Sequence, residues 1–280
     1  MATRVMVLQN PRLKAMVVPR EHGAWGMLLV PLATGAVVAT AGGVDVLSLV
    51  LFVVAALVLF WLRTPVEAWL GTTPIKAQSR QERRTVVTVS GLLVLVALGA
   101  IAALFDRGLS RGLLLIGAVS AIAFAIQALV KRLGRSGRMP AQIIGAVGLT
   151  STAAGAYYVC SGGIGRTGLA LWLTNWLFAA DQVHFVQAKI RGNRLTGATE
   201  KLRQNAGFLL GQVFLVAAIG LLTYRGLFPK FTLLAYVPVL VRGFLWYVEH
   251  PKPLDVHKLG FSELKHALVF GVLLCVAFLV

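Results

Sequence analysis

The chain has 280 residues, of which 58% are hydrophobic and 13% charged, and its formal net charge is +17. A soluble domain carries about 25% charged residues, so a soluble globular fold is excluded. The positive charge falls in alternate loops rather than on one patch, which excludes nucleic acid as the partner and points to membrane topology and anionic lipid.

Residues 1–20 read as a short basic arm, with Pro11 and Pro19 ahead of the first apolar run and no cleavable signal peptide. Apolar runs of about twenty residues then recur, each able to cross a hydrocarbon core about 30 Å thick. Span one covers about 22–40 and opens in PREHGAW. There Arg20, Glu21, His22 and Trp25 read as an interfacial anchor. Span two covers about 45–62 and is followed by RTPVEAWLGTTPIKAQSRQERR. Thr64-Pro65-Val66-Glu67 fits a capping box with proline at the first helical position, so a new short amphipathic helix carrying Trp69 is expected in the interface.

Spans three and four cover about 85–105 and 112–130, joined by a tight turn at Asp106 to Arg111. The basic segment KRLGRSGRMPAQ leads through Pro140 to span five, about 141–160. SGGIG is a flexible turn before span six, about 167–186. Span seven covers about 206–224, and its Gly207 and Gly211 form a GxxxG packing pair. Span eight covers about 231–248. The loop EHPKPLDVHKLGFSELKH follows, with three histidines and three carboxylates in no standard zinc spacing. Ser262 is the expected cap of span nine. Cys160 and Cys275 form no CxxC; two separate buried thiols are expected, with a disulfide between them as the alternative.

With the N-terminus in the cytoplasm, Lys and Arg number four in the arm and 5, 4, 5 and 4 after spans two, four, six and eight. The loops after spans one, three, five and seven hold 0, 2, 1 and 2. The expected architecture is therefore all-α, with nine transmembrane helices, N-in and C-out, in one domain over residues 21–280.

The chemistry centres on NWLFAADQVHFVQAKIRGNR, from Asn175 to Arg194. Asp181, His184, Gln187 and Arg191 follow spacings of three, three and four, read as one helix face. An ionisable residue at membrane depth is costly and by default functional; the bland alternative is a polar cluster that locks two helices together. Asp181, His184 and Glu67 are the candidate catalytic groups. Arg63, Lys131, Arg132, Asn175, Gln187, Lys189 and Arg191 are the candidate substrate-binding groups, with Arg194 beside them. Guanidinium and ammonium groups at such a mouth suit a diphosphate or phospholipid headgroup; the bland alternative is positive-inside charge alone.

PREHGAWGMLLVPL together with FVQAKIRG resembles the YwiC-like family of bacterial membrane proteins. More distantly, the whole chain resembles the UbiA superfamily of intramembrane prenyltransferases. KRLGRSGRMPAQIIGA is similar to that superfamily's K-R segment followed by P-Q and G, and Asp181 stands at the first position of its second aspartate motif. The resemblance implies a central cavity, an isoprenoid or other amphiphilic ligand, Mg²⁺ bridging a diphosphate, and the bacterial cytoplasmic membrane with its lipids as surroundings. The departures are large. Where the first motif needs N-D-x-x-D this chain has RTPVEAW, and the later acidic positions of the second fall on Gln187 and near Arg191. One Asp and one Glu do not supply two conventional Mg²⁺ sites, so Arg and Lys are expected to carry the neutralising charge.

The expectations are a UbiA-like enzyme, a non-catalytic lipid-binding or assembly protein on the same scaffold, and, ranked last, a small-molecule transporter. The first expects spans two and six to face one cavity, with Arg63 or Arg132 reaching the carboxylates.

Overall fold

The computed structural model describes residues 10–19, 22–43, 45–73, 75–134, 136–192, 195, 197–249 and 255–280. Arg20, Glu21 and Arg194 lie outside the described residues. Helices carry the chain throughout, with no strand among the described residues. In chain order they are α1 (Pro11–Val17), α2 (His22–Ala39), a 3-10 turn (Thr40–Gly42), α3 (Val46–Leu70), α4 (Arg80–Asp106), α5 (Ser110–Lys131) and α6 (Arg138–Ser161). Then follow α7 (Gly165–Arg191), α8 (Ala198–Gln204), α9 (Ala206–Tyr224), α10 (Thr232–Val248) and α11 (Val256–Leu279). Seven of these, α2 to α6 with α9 and α11, are long and apolar enough to cross a membrane, which marks a multi-pass membrane protein. Contacts group the chain into two compact units.

The first unit holds α1, α3 and α4. Here the arm is more than a basic tail. Met16 and Val17 of α1 pack with Ala68, Ala77 and Val86, the Trp61 indole donates to the Val17 carbonyl at 2.6 Å, and Arg12 Nε reaches Glu82 at 2.8 Å. Ser79 and Glu82 form a capping box that starts α4, five residues ahead of the expected start of span three. Asp45 caps α3 and takes Arg107 at 2.5 Å. The Ser48 hydroxyl and the Arg107 guanidinium together hold its carboxyl down at about 2.

The break expected at Thr64-Pro65 does not occur. α3 runs unbroken through Pro65 to its left-handed cap at Gly71, φ 69°. Proline removes one helical N–H, so the carbonyl four residues back loses its partner. Membrane helices tolerate this where neighbours or polar side chains compensate. Here Arg63 and Glu67 close across one helical turn at 3.1 Å, and Ala68 is held in the α1 cluster. Glu67 is therefore an ion-pair partner in mid-helix, and no separate interfacial helix begins there.

The second unit holds α2 and α5 to α11. α2 and α6 pack closely, because α6 presents a buried run of small residues over 150–156, Thr-Ser-Thr-Ala-Ala-Gly-Ala. α7 lies along α6, with the Trp172 and Trp176 indoles donating to the Val147 and Ile143 carbonyls at 2.9 and 3.1 Å. Phe178 stacks on Phe270 with ring centroids 3.9 Å apart, which fixes α7 against α11. Of the GxxxG pair, Gly211 lies against His184, whereas Gly207 has open space around it. Cys160 and Cys275 are separate half-buried thiols.

The expected cap at Ser262 is also corrected. Asp255 caps α11, accepting from His257 N and Lys258 N at 3.0 and 3.1 Å. An Asx cap ahead of it starts the helix earlier than the serine could, so Ser262 and Glu263 lie inside α11.

Lys201 of α8 is buried, and its ammonium caps α10 by donating to the Trp246 and Glu249 carbonyls at 3.1 and 2.5 Å. A charged donor to two terminal carbonyls also opposes the negative end of the helix dipole. Lys201→Met is expected to lower stability by about 1.5–3 kcal/mol, read as a lower thermal midpoint in detergent. An unchanged midpoint would show that the α8 clamp contributes nothing.

Candidate functional site

α7 is less apolar than those seven helices because Asn175, Asp181, Gln182, His184, Gln187, Lys189 and Arg191 all lie on it. α10, at 17 residues, is shorter and carries Arg242. These two helices meet through their charges. Asp181 is 7% exposed, and one carboxylate oxygen accepts from the Gln212 amide of α9. The other faces the Arg242 guanidinium at 3.5 Å. Arg242 turns its second amino group to Glu263 of α11, and the guanidinium carbon sits 3.9 Å from the centre of the Phe185 ring. Gln182 donates to the Glu263 carbonyl at 3.0 Å. Four helices thus close on one buried Asp–Arg–Glu set. The side chains of all three are nine-tenths or so buried, at 3, 11 and 9% exposure.

The cation that meets Asp181 is therefore Arg242, where Arg63 or Arg132 was expected; Arg63 is engaged with Glu67. Arg242 escapes a reading by charge because the count by sides places it with the loop after span eight, although it lies inside α10. Glu263 escapes because its helix starts earlier than expected. A cation six residues from the end of an apolar run was the available signal for Arg242.

The single polar face expected on α7 divides in two. His184 stands edge-on to Phe208 of α9 with centroids 5.3 Å apart, on the side of Asp181. Gln187 turns instead to α6, donating to Gln142 at 3.2 Å. At about 100° per residue, two steps of three place Gln187 about 120° round the helix from Asp181. Arg191 folds back on the Gln187 carbonyl at 3.3 Å, and Lys189 lies 5.5 Å over Phe185. Lys131 ends α5, and Lys131 and Arg132 are exposed. Asn175 is buried, donating to Thr34 Oγ1 at 3.1 Å and to the Leu171 carbonyl at 2.8 Å. It lines a small cleft with Met27, Pro31, Phe178 and Gln182, whose free space of about 10 Å³ is room for about one water.

Glu67 and Arg63 belong to the first unit; Asp181, His184, Asn175, Gln187, Lys131, Arg132, Lys189 and Arg191 belong to the second. Among the described residues no three of His, Cys, Asp and Glu come together as metal ligands. The two carboxylates that do meet, Asp181 and Glu263, converge on a guanidinium. A resident cation repels Mg²⁺, so this donor set does not fit that ion.

No curated protein and no solved structure matches the chain. A family model described as YwiC-like protein matches residues 18–157. That stretch runs from the end of α1 into α6 and stops before the helices that carry the Asp–Arg–Glu set. Half of the chain is matched, and the protein belongs to the YwiC-like family.

Proposed function

We propose that the protein is a nine-crossing, N-in and C-out membrane protein of UbiA-like build. It holds an isoprenoid diphosphate or similar anionic amphiphile at the cytoplasmic end of its second unit. α7 and α10 supply the sixth and eighth crossings, beside the seven apolar helices. At 1.5 Å per residue, the 27 residues of α7 extend about 40 Å and the 17 of α10 about 26 Å. Their charged side chains are turned onto one another, so neither helix presents Asp181 or Arg242 bare to lipid.

The observation that carries the headgroup reading is the Gln142–Gln187 hydrogen bond at 3.2 Å. It ties the start of α6 to the end of α7. The connection bearing Lys131, Arg132 and Arg138 is thereby brought to the same end of the unit as Lys189 and Arg191. The chain has no carboxylate between Asp106 and Asp181, nor between Asp181 and Glu200. A diphosphate is the complement of such a mouth, bound by charge-assisted hydrogen bonds with Arg and Lys in the place of metal.

The enzymatic form of this reading uses Asp181 and His184 of the second unit on the ligand. The non-catalytic form has one observation in its favour, that both oxygens of Asp181 are taken by Gln212 and Arg242. The test is binding of a panel of prenyl diphosphates to the purified protein, with and without Mg²⁺, alongside measurement of released diphosphate. Salt-sensitive binding is expected, weakened about tenfold or more in the Lys131→Gln, Arg132→Gln double variant. Release of diphosphate supports the enzyme, and binding without release supports the non-catalytic form. Absence of both across the panel defeats the proposal.

A further inference from the structure

In the second unit two carboxylates share one guanidinium. With Asp181, Arg242 and Glu263 all ionised the set carries a net charge of −1. Among the described residues no second cation lies in salt-bridge distance of either acid. The surroundings offer little else to balance it. α2, which packs against α11, has no titratable side chain from Gly23 to Ala39. α9 contributes the neutral Gln212, and its one titratable group is Tyr224 at its far end. α10 adds Tyr236, whose hydroxyl donates to the Thr174 carbonyl at 2.6 Å, and Tyr247, which donates to the Asn205 carbonyl at 3.0 Å. On α7, His184 packs on Phe208, Lys189 lies 5.5 Å over the Phe185 ring that Arg242 also meets, and Arg191 reaches back to Gln187. On α11, His266 is engaged with the Ser262 carbonyl at 2.8 Å, Lys265 lies over Phe261, and Lys258 pairs with Asp255 at 3.7 Å.

A second observation is independent of charge. Three buried polar atoms of this cluster have no hydrogen-bond partner: Glu263 Oε1, Gln212 Oε1 and Arg242 Nε. Gln212 is 1% exposed, and its amide nitrogen already points at Asp181. Two orphan acceptors beside a surplus negative charge call for a donor that brings positive charge. A metal cation would have to sit against the guanidinium. A water would satisfy the orphan atoms and leave the charge. A proton on one carboxyl group cancels the charge and converts an acceptor into a donor.

We infer that the Asp181–Arg242–Glu263 set is a binding site for one exchangeable proton, shared between the two carboxyl groups. The ligand is the proton itself, and the pair titrates as one unit, because an acid that has given up its proton disfavours ionisation of the other. Asp181 is shared with the enzymatic form of the proposed function, but the inference does not rest on amphiphile binding.

The test is infrared difference spectroscopy of the full chain in lipid vesicles, stepped from mildly acidic to mildly alkaline buffer in H₂O and in D₂O. The expected result is one buried carboxylic-acid C=O band, shifted in D₂O, that disappears as pH rises. Asp181→Asn and Glu263→Gln should each abolish that titration. Gln212→Leu, which removes both the amide donor to Asp181 and the orphan acceptor without touching an acid, should displace its midpoint by about one pH unit. No titrating band in the native protein overturns the inference. So does a band untouched by both acid substitutions and by Gln212→Leu, or a band displaced at constant pH by sodium.

Discussion

Replacing Arg242 by Leu is expected to destabilise the protein by about 3–5 kcal/mol, the cost of breaking a buried ion pair from one side. The substitution leaves Asp181 and Glu263 buried without their shared cation, and it takes the guanidinium off the Phe185 ring. The loss should be recoverable. A triple variant, Arg242→Leu with Asp181→Asn and Glu263→Gln, removes the uncompensated charge and is expected to regain most of the thermal midpoint, since neutral replacements of buried ion sets are often as stable as the original. Thermal unfolding in detergent separates the two variants. If Arg242→Leu melts with the native protein, the charged set does not hold α7, α10 and α11 together, and its burial has some other cause.

The second large effect concerns Gly35. A Cβ at this position would overlap the carbonyl of Ala153 on the facing helix, and that carbonyl is backbone that cannot swing aside. Gly35→Val therefore requires α2 and α6 to separate along their closest approach. The expected loss is at or above the upper end of the ~1–3 kcal/mol usual for overpacking, read as loss of folded protein from the membrane fraction. Gly207→Ala is the control, because nothing lies within 4 Å of a Cβ there. The α2–α6 contact would be shown to be compliant if both variants accumulate and melt alike.

These two effects differ in how far they were readable in advance. Small residues in an apolar helix announce close packing by their size, and the run at 150–156 of α6 needs no partner to be recognised. Which glycine meets a backbone and which meets open space is a property of pairs. Gly207 and Gly211 are the two ends of one GxxxG motif, yet only Gly211 has His184 against it. Arg242 is a similar case. A count of charges by loop absorbs it into a cytoplasmic total, since such a count weighs sides of a membrane and not depth within it.

The sequence by itself determined that the chain is helical and multi-pass, because long apolar runs are legible one at a time and their lengths are set by the bilayer. It also determined that Asp181 lies too deep in apolar sequence to be a surface residue. The polar groups that meet Asp181 come from residues 212 and 242 on two other helices, and Arg242 ties them to Glu263 on a third; only the tertiary structure decided that assembly. The same holds for the division of the α7 face, where a spacing that permits one face places Gln187 about 120° away from Asp181, toward α6. Local turns show the limit from the other side. Thr64-Pro65 carries the signals of a helix start, and Ser262 those of a cap. Packing of Ala68 and the Arg63–Glu67 pair carry α3 through the first, and the earlier Asp255 cap overrides the second. A short motif states what a segment could form alone, and its neighbours decide which of those forms has the lowest free energy.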